Sequence, residues 1–223
     1  MEIVDLSMPI GEHFRWSPKI TVKGDIAAGD QFRITHLATT CHGFTHVDAQ
    51  AHFVDHAPTI EATPLGRVVG PARVFNLRDV EPNTAIDAAR LAKADPGGAQ
   101  GEIFLLSSGW DTKRDNTTAA FWKDAPYLTR EAAEWLDAQK PSAVAFDFPQ
   151  DYAIRLLLDG HIAPTPEHVT HDTLLRSGVT LIEYLVNTSA VKGPRTLLCA
   201  APLKIPGADG APARVFAIEG LNV

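Results

Sequence analysis

The segment His42-Gly-Phe-Thr-His46-Val-Asp48-Ala-Gln-Ala-His52 constrains this chain more than any other. It places three of the nine histidines and a carboxylate within eleven residues. Imidazole and carboxylate together are the ligand set of Zn²⁺, Mn²⁺ and Fe²⁺ sites. Taken by twos, His42, His46, Asp48 and His52 share one face of an extended segment. Cys41, Gly43, Thr45, Val47, Ala49, Ala51 and Phe53 share the other, which is small or apolar. The pattern predicts a ribbon backed by core on one side and showing coordinating groups to a cleft on the other. Reach sets a further condition. Four residues of ideal strand span roughly 13 Å, too far for two histidines with ligand bonds of ~2 Å to share an ion comfortably. The ribbon must therefore bend between His42 and His46, and Gly43 is the expected pivot. A helical turn would also bring residues i and i+4 together, but it would carry Asp48 and His52 round the cylinder from His46. A lone histidine is more often structural than coordinating; four such groups on one face reverse that balance.

The chain has 223 residues, enough for one sizeable core, and is read as a single domain over 1–223. Its 45% hydrophobic and 21% charged content is that of a soluble globular domain. A net charge of −7 with no basic stripe argues against nucleic acid and anionic membranes as partners. The two cysteines, Cys41 and Cys199, cannot form a disulfide scaffold and read as buried thiols in a reducing compartment. Met-Glu-Ile-Val-Asp lacks the features of a signal peptide, and no apolar run reaches membrane-spanning length. A cytoplasmic protein is the expectation.

Strands are predicted at Ile3–Leu6, Phe32–Thr40, Ala72–Leu77, Ile103–Ser107, Ala143–Phe148, Val179–Val186, Leu197–Ile205 and Arg214–Ile218. Helices are predicted from Ile86 to Ala94, from Thr129 to about Gln139, and from Thr165 to Ser177. Pro206–Pro212 reads as a hairpin or loop. This mixture indicates an α/β or α+β domain with helices mostly in the second half.

Two further groups carry chemistry. Glu183 lies in the apolar strand Thr180-Leu-Ile-Glu-Tyr-Leu-Val186, where an unpaired carboxylate would be costly. His171 precedes it on a helix, and a helix-turn-strand unit can bring both to one edge. Together with the ribbon, these exceed the needs of one tetrahedral ion with an open position. Two ions bridged by Asp48 accommodate them, which leaves His52 free to shuttle protons.

The chain resembles the cyclase family of metal-dependent hydrolases, which includes bacterial kynurenine formamidases (arylformamidases) and isatin hydrolases. The family pattern His-x-Gly-Thr-His-x-Asp-x-Pro-x-His-Phe aligns with His42 through Phe53. The likeness continues through Val4-Asp5-Leu6-Ser7-Met-Pro9, Leu106-Ser-Ser-Gly-Trp110 and Ala145-Phe-Asp147-Phe-Pro-Gln-Asp151. It extends to His171 with Leu174 and Leu175, Leu181-Ile-Glu183-Tyr-Leu, and Pro202-Leu-Lys-Ile-Pro206. The resemblance implies a swivelling β/β/α fold with a mixed-sheet core, assembled as a dimer or tetramer. It implies one ion on His42, His46 and Asp48, a second on Asp48, His171 and Glu183 where present, and His52 as general base and acid. The chain departs from the pattern at Phe44, where Gly is usual and Gly43 stands one place earlier. It departs again at Gln50 for Pro, and at Gln150 where formamidases carry Ser.

The reaction expected is metal-assisted hydrolysis of a planar amide or related carbonyl, such as an aryl formamide, with Zn²⁺ or Mn²⁺. Phe14, Trp16 and Trp110 are candidate pocket rings for an aryl substrate, and Phe44 could narrow that pocket. Ring opening of an isatin, lactam or lactone is the alternative within hydrolases. A metal-binding protein without turnover is the alternative outside them. No Gly-x-Ser-x-Gly elbow points to a serine hydrolase.

Overall fold

The fold is described from a computed structural model, which describes residues 1–221. In chain order its strands are β1 (Glu2–Asp5), β2 (Lys19–Gly24), β3 (Ile34–Ala38), β4 (His46–Asp48), β5 (Val69–Asn76), β6 (Ala85–Ile86) and β7 (Ile103–Ser107). Then come β8 (Tyr127–Leu128), β9 (Ala143–Phe146), β10 (Thr180–Glu183), β11 (Arg195–Cys199), β12 (Gly210–Pro212) and β13 (Phe216–Glu219). The helices are α1 (Ala88–Ala94), α2 (Trp110–Lys113), α3 (Ala119–Lys123), α4 (Arg130–Ala138) and α5 (Tyr152–Leu156).

Among the described residues, nine strands form one mixed sheet in the order β1-β13-β11-β5-β7-β9-β10-β4-β12. Its centre is parallel: β5 pairs β7, β7 pairs β9, and β9 pairs β10. β7 and β9 are nearly continuous apolar runs because both of their faces are covered. Alternation divides the central strands. Phe104, Leu106, Val144, Phe146 and Leu181 enter one core beneath α1, α3 and α4. Ile103, Leu105, Ala143, Ala145 and Ile182 enter a second core on the other face. The second core also takes Val4, Leu6, Val47, Leu198 and Ala217 from the antiparallel flanks, so the sheet curls over it. Leu6 fastens the curl, its N–H donating to Val215 O and its carbonyl accepting from Val186 N. The architecture is the expected α/β fold with a mixed-sheet core.

Local rules explain the helix that covers the first core. Thr129 Oγ1 accepts from Ala132 N, and Glu131 lies in the first turn, where a negative charge meets the helix dipole. Losing such a cap costs about 1 kcal/mol. The helix ends before Pro141, and Ala132, Ala133 and Leu136 face inward.

Four local expectations are corrected. The predicted Thr165–Ser177 helix is a 3₁₀ turn at Thr165–Glu167 followed by a π-helical turn at His171–Leu175. Phe32–Thr40 shortens to β3 and pairs with β2 in a separate exposed hairpin instead of running into the histidine segment. The Pro206–Pro212 loop contributes β12, the sheet edge beside β4. Cys41 and Cys199 are free but only partly buried. No helix among the described residues is long and apolar enough to cross a membrane.

Candidate metal centre

The histidine segment is not one ribbon. Only His46–Asp48 is strand, and Gln50–His52 is a 3₁₀ turn. The chain bends from Gly43 through Thr45, as the reach argument requires, and the residue that takes the left-handed conformation is Phe44, with φ of 58°, not Gly43. This turn presents the Phe44 carbonyl to His46 Nδ1 at 2.8 Å. Gly43 is needed for space instead, since a Cβ there would lie 2.9 Å from Thr40 Cγ2 and 3.3 Å from the Trp16 ring. Thr45 locks the bend: its hydroxyl accepts from Met8 N at 2.8 Å and donates to Tyr184 O at 2.7 Å. His52 returns by its short helical turn and stacks on His42 with ring centroids 3.8 Å apart.

Pairing brings in the rest. β10 runs antiparallel to β4 and sets Glu183 opposite His46, with His46 Nε2 3.6 Å from Glu183 Oε2 and 3.1 Å from Asp48 Oδ1. The π-helical turn directs His171 Nε2 to 3.0 Å from Glu183 Oε1 and 3.6 Å from Asp48 Oδ2. Such turns recur at functional sites. Its Nδ1 meets Asp151 Oδ2 at 2.6 Å. On the other side of Asp48, His42 Nδ1 lies 2.8 Å from Oδ1.

Burial makes this cluster electrostatically demanding. Asp48 is fully enclosed, and Glu183 and His46 are nearly so. Desolvation pushes the Asp48 carboxyl up, but His46, His171 and His42 together hold it well below the usual carboxylate range. Desolvation likewise opposes the charge on Glu183, and His171 overcomes it, so that carboxyl is also lowered. Burial pulls the His42 ring down, yet Asp48 and Asp209 outweigh it and raise the ring to about 9. His171 is raised well above the ordinary histidine value because Glu183, Asp151 and Asp48 outweigh its desolvation. His52 goes the other way, lowered chiefly by burial.

The donor set fits a divalent cation. His42 Nε2, His46 Nε2 and Asp48 Oδ2 are buried without a hydrogen-bond partner, a costly state that an ion would relieve for the atoms facing the cluster. His46 Nδ1 donates to a carbonyl, so Nε2 carries the lone pair that faces the cluster. Donor atoms of His46, Asp48 and Glu183 lie within 4.8 Å of one another, as do those of His42, Asp48 and His52. Asp151, His168 and His171 form a third such group, but there Asp151 is engaged by His171 Nδ1 and by Thr170 N.

The expected ligand residues His42, His46, Asp48, His171 and Glu183 converge, with His52 beside them. The expected pocket rings separate. Trp110 is completely buried, with its indole N–H donated to Phe121 O, so it belongs to the core instead of a pocket wall. Phe44 is also buried, its ring 4.9 Å from Trp16. Trp16 is 8% exposed and Phe14 48% exposed; both line a cavity of about 650 Å³ with Arg15 and Lys123. Tyr184 links Trp16 to the cluster, its ring 5.4 Å from both Trp16 and His46. Sequence reasoning assigned no role to Asp151, Phe53 or Asp209. Phe53 was read as facing away, yet its ring lies 4.8 Å from His171. Asp209, one residue before β12 in the stretch expected as loop, touches His42. Gln150 is buried and donates its amide to Glu183 Oε1.

A buried cluster of histidines and carboxylates at one end of a curled mixed sheet fits the class of metal-dependent hydrolases. Residues 4–150 match the family model described as putative cyclase. The chain is 31% identical over 179 residues to kynurenine formamidase of Salinibacter ruber, covering 80% of this chain and 76% of that protein. It is 27% identical to the Bordetella petrii kynurenine formamidase, covering 95% and 88%. A solved structure described as a potential metal-dependent hydrolase with cyclase activity superposes with a TM-score of 0.75 at 28% identity, covering 99% of each chain. An isatin hydrolase shares the fold, with a TM-score of 0.80 at 22% identity and coverage of 97% and 91%. The chain belongs to the cyclase family of metal-dependent hydrolases.

Proposed function

We propose that this chain hydrolyses the amide of an aromatic small molecule, with an aryl formamide such as N-formylkynurenine as lead substrate, using one or two Zn²⁺ or Mn²⁺ ions. The observation that carries this is the pair of buried, partnerless atoms His46 Nε2 and Asp48 Oδ2, facing Glu183 and His171. The kynurenine formamidase relatives support the amide substrate.

His42, His46 and Asp48 would hold one ion, and Asp48, His171 and Glu183 a second. A divalent ion bound there makes water nucleophilic near neutral pH and polarises the scissile carbonyl. The protein's own part is orientation and proton transfer. Phe44 O and Asp151 fix the rings of His46 and His171 from behind. His52, neutral at pH 7 because burial lowers its pKa, accepts the proton of the attacking water and returns it to the leaving nitrogen. Trp16 and Phe14 offer ring faces to the aryl group, and the bulk of Phe44 behind Trp16 fixes where that wall stands.

The same reading includes a homo-oligomer, dimer or tetramer. The β2–β3 hairpin exposes Ile20, Val22, Ile34 and Leu37, and an isolated hairpin is marginal without a surface to pack on.

Elemental analysis of protein purified without chelator tests the proposal, paired with turnover of N-formylkynurenine, other aryl formamides and isatin. Bound metal with formamide cleavage is expected. Preferential turnover of isatin would move the substrate to the ring-opening class. Metal without any turnover would leave a binding protein, and protein that takes up no metal would refute the proposal.

A further inference from the structure

Each histidine assigned to the ions has two ring nitrogens, and the one facing away needs an acceptor to fix the ring. For His46 that acceptor is Phe44 O, at 2.8 Å from Nδ1, and for His171 it is Asp151 Oδ2, at 2.6 Å from Nδ1. His42 is reversed: Nδ1 faces Asp48, while Nε2 faces away from it, buried and outside good hydrogen-bond geometry, with Asp209 Oδ2 at ion-pair distance, 3.0 Å. The same oxygen stands 3.5 Å from His52 Nδ1, and the His42 and His52 rings are stacked. We infer that Asp209 is a positioning residue whose carboxylate pairs with the Nε2 edge of His42, turns Nδ1 toward the ion beside Asp48, and holds His52 in line with it.

The backbone is built for this contact. β12 pairs with β4, Gly210 lies opposite Asp48, and Asp209 O accepts from Ala49 N at 2.9 Å. The His42 ring rests on the bare backbone of Gly210, where a Cβ would come within 2.7 Å of His42 Cε1 and 2.9 Å of Val47 O. Only glycine at 210 leaves room for the ring to reach the preceding carboxylate. The Asp209 side chain itself is half exposed, so its truncation removes an ion-pair partner without opening the core.

The inference rests on the proposed metal site, and binding of the ion reads it without turnover. Zn²⁺ and Mn²⁺ affinities would be measured by competition with a chromophoric chelator for wild type, Asp209→Ala, Asp209→Asn and the exposed control Asp55→Ala. Loss of an outer acceptor of a ligand histidine typically weakens binding by about 10–100-fold, and that range is expected for Asp209→Ala. Asp209→Asn keeps an acceptor oxygen and should recover most of the loss, while Asp55→Ala should match wild type. Unchanged affinity in Asp209→Ala overturns the inference alone. A loss in Asp209→Asn as large as in Asp209→Ala overturns it too, since the carboxylate would then be a ligand itself. Wild-type protein that binds neither ion sinks the metal site and this inference with it. Equal melting temperatures of the metal-free variants would show that the fold is kept.

Discussion

Replacing Phe44 should reverse the usual order of alanine and glycine. Phe44 is 2% exposed and packs on Trp16 and His13, so truncation to alanine should cost about 3–5 kcal/mol. Its φ of 58° adds a second term. A residue with a Cβ is strained by roughly 1–2 kcal/mol in the left-handed region, and alanine keeps that strain. Glycine removes it, at the expense of roughly 0.4–1 kcal/mol of extra unfolded-state freedom. Phe44→Gly should therefore be more stable than Phe44→Ala by about 0–1.6 kcal/mol, with both well below wild type. In an ordinary helix interior alanine wins by about 1 kcal/mol, so the sign is the diagnostic. Urea denaturation of the three proteins in EDTA measures it without interference from metal binding. Alanine more stable than glycine would refute the strained bend. Glycine is also the residue that the family pattern carries at this place, so the phenylalanine exchanges backbone ease for aromatic packing behind the site.

Three other outcomes follow from the cluster and the hairpin. In EDTA, the His42 ring is raised from 6.5 to about 9, so its pairing with Asp48 and Asp209 stabilises fully below pH 6.5 and is lost as pH rises through about 9. The rise is worth at most on the order of 3 kcal/mol; melting temperatures at pH 6.5 and 9.5 should show the drop, and a flat profile would contradict it. His52→Ala should retain metal and lose about 10²–10⁴ in kcat, whereas Asp48→Ala should lose metal by elemental analysis; release of metal from His52→Ala would make His52 a ligand. Ile20 and Leu37 are cross-strand partners on the exposed hairpin, so Ile20→Asp with Leu37→Asp should reduce the oligomer seen by sedimentation, and an unchanged mass would place the interface elsewhere.

Ligand types were readable in the chain because coordination chemistry restricts them to few residues, and His42, His46, Asp48 and His52 lie close together. Glu183 stood out because a carboxylate in an apolar strand needs a partner. The central strands were readable from their apolar runs, Ile103–Ser107 with the same limits in sequence and structure. The bend falls where expected, but its left-handed residue does not, because the rule that glycine supplies left-handed backbone is statistical. Here Phe44 takes that conformation, held by its own burial and by the hydrogen bonds of Thr45, while Gly43 answers a steric demand from Trp16 that no local pattern reveals. Trp110 looked like a pocket ring by type alone, and only the packing of α2 and α3 showed its indole used up on Phe121.

The sequence by itself determined the class of chemistry, the mixed α/β architecture and the set of candidate ligands, because these depend on residue type and short-range periodicity. Tertiary structure alone decided how the inventory is arranged. Strand pairing set Glu183 against His46, a π-helical turn aimed His171 at both carboxylates, and an edge strand brought Asp209 to His42. These contacts join residues from twelve to more than a hundred and sixty positions apart, and their geometry depends on sheet order and burial, which no local stretch of sequence encodes.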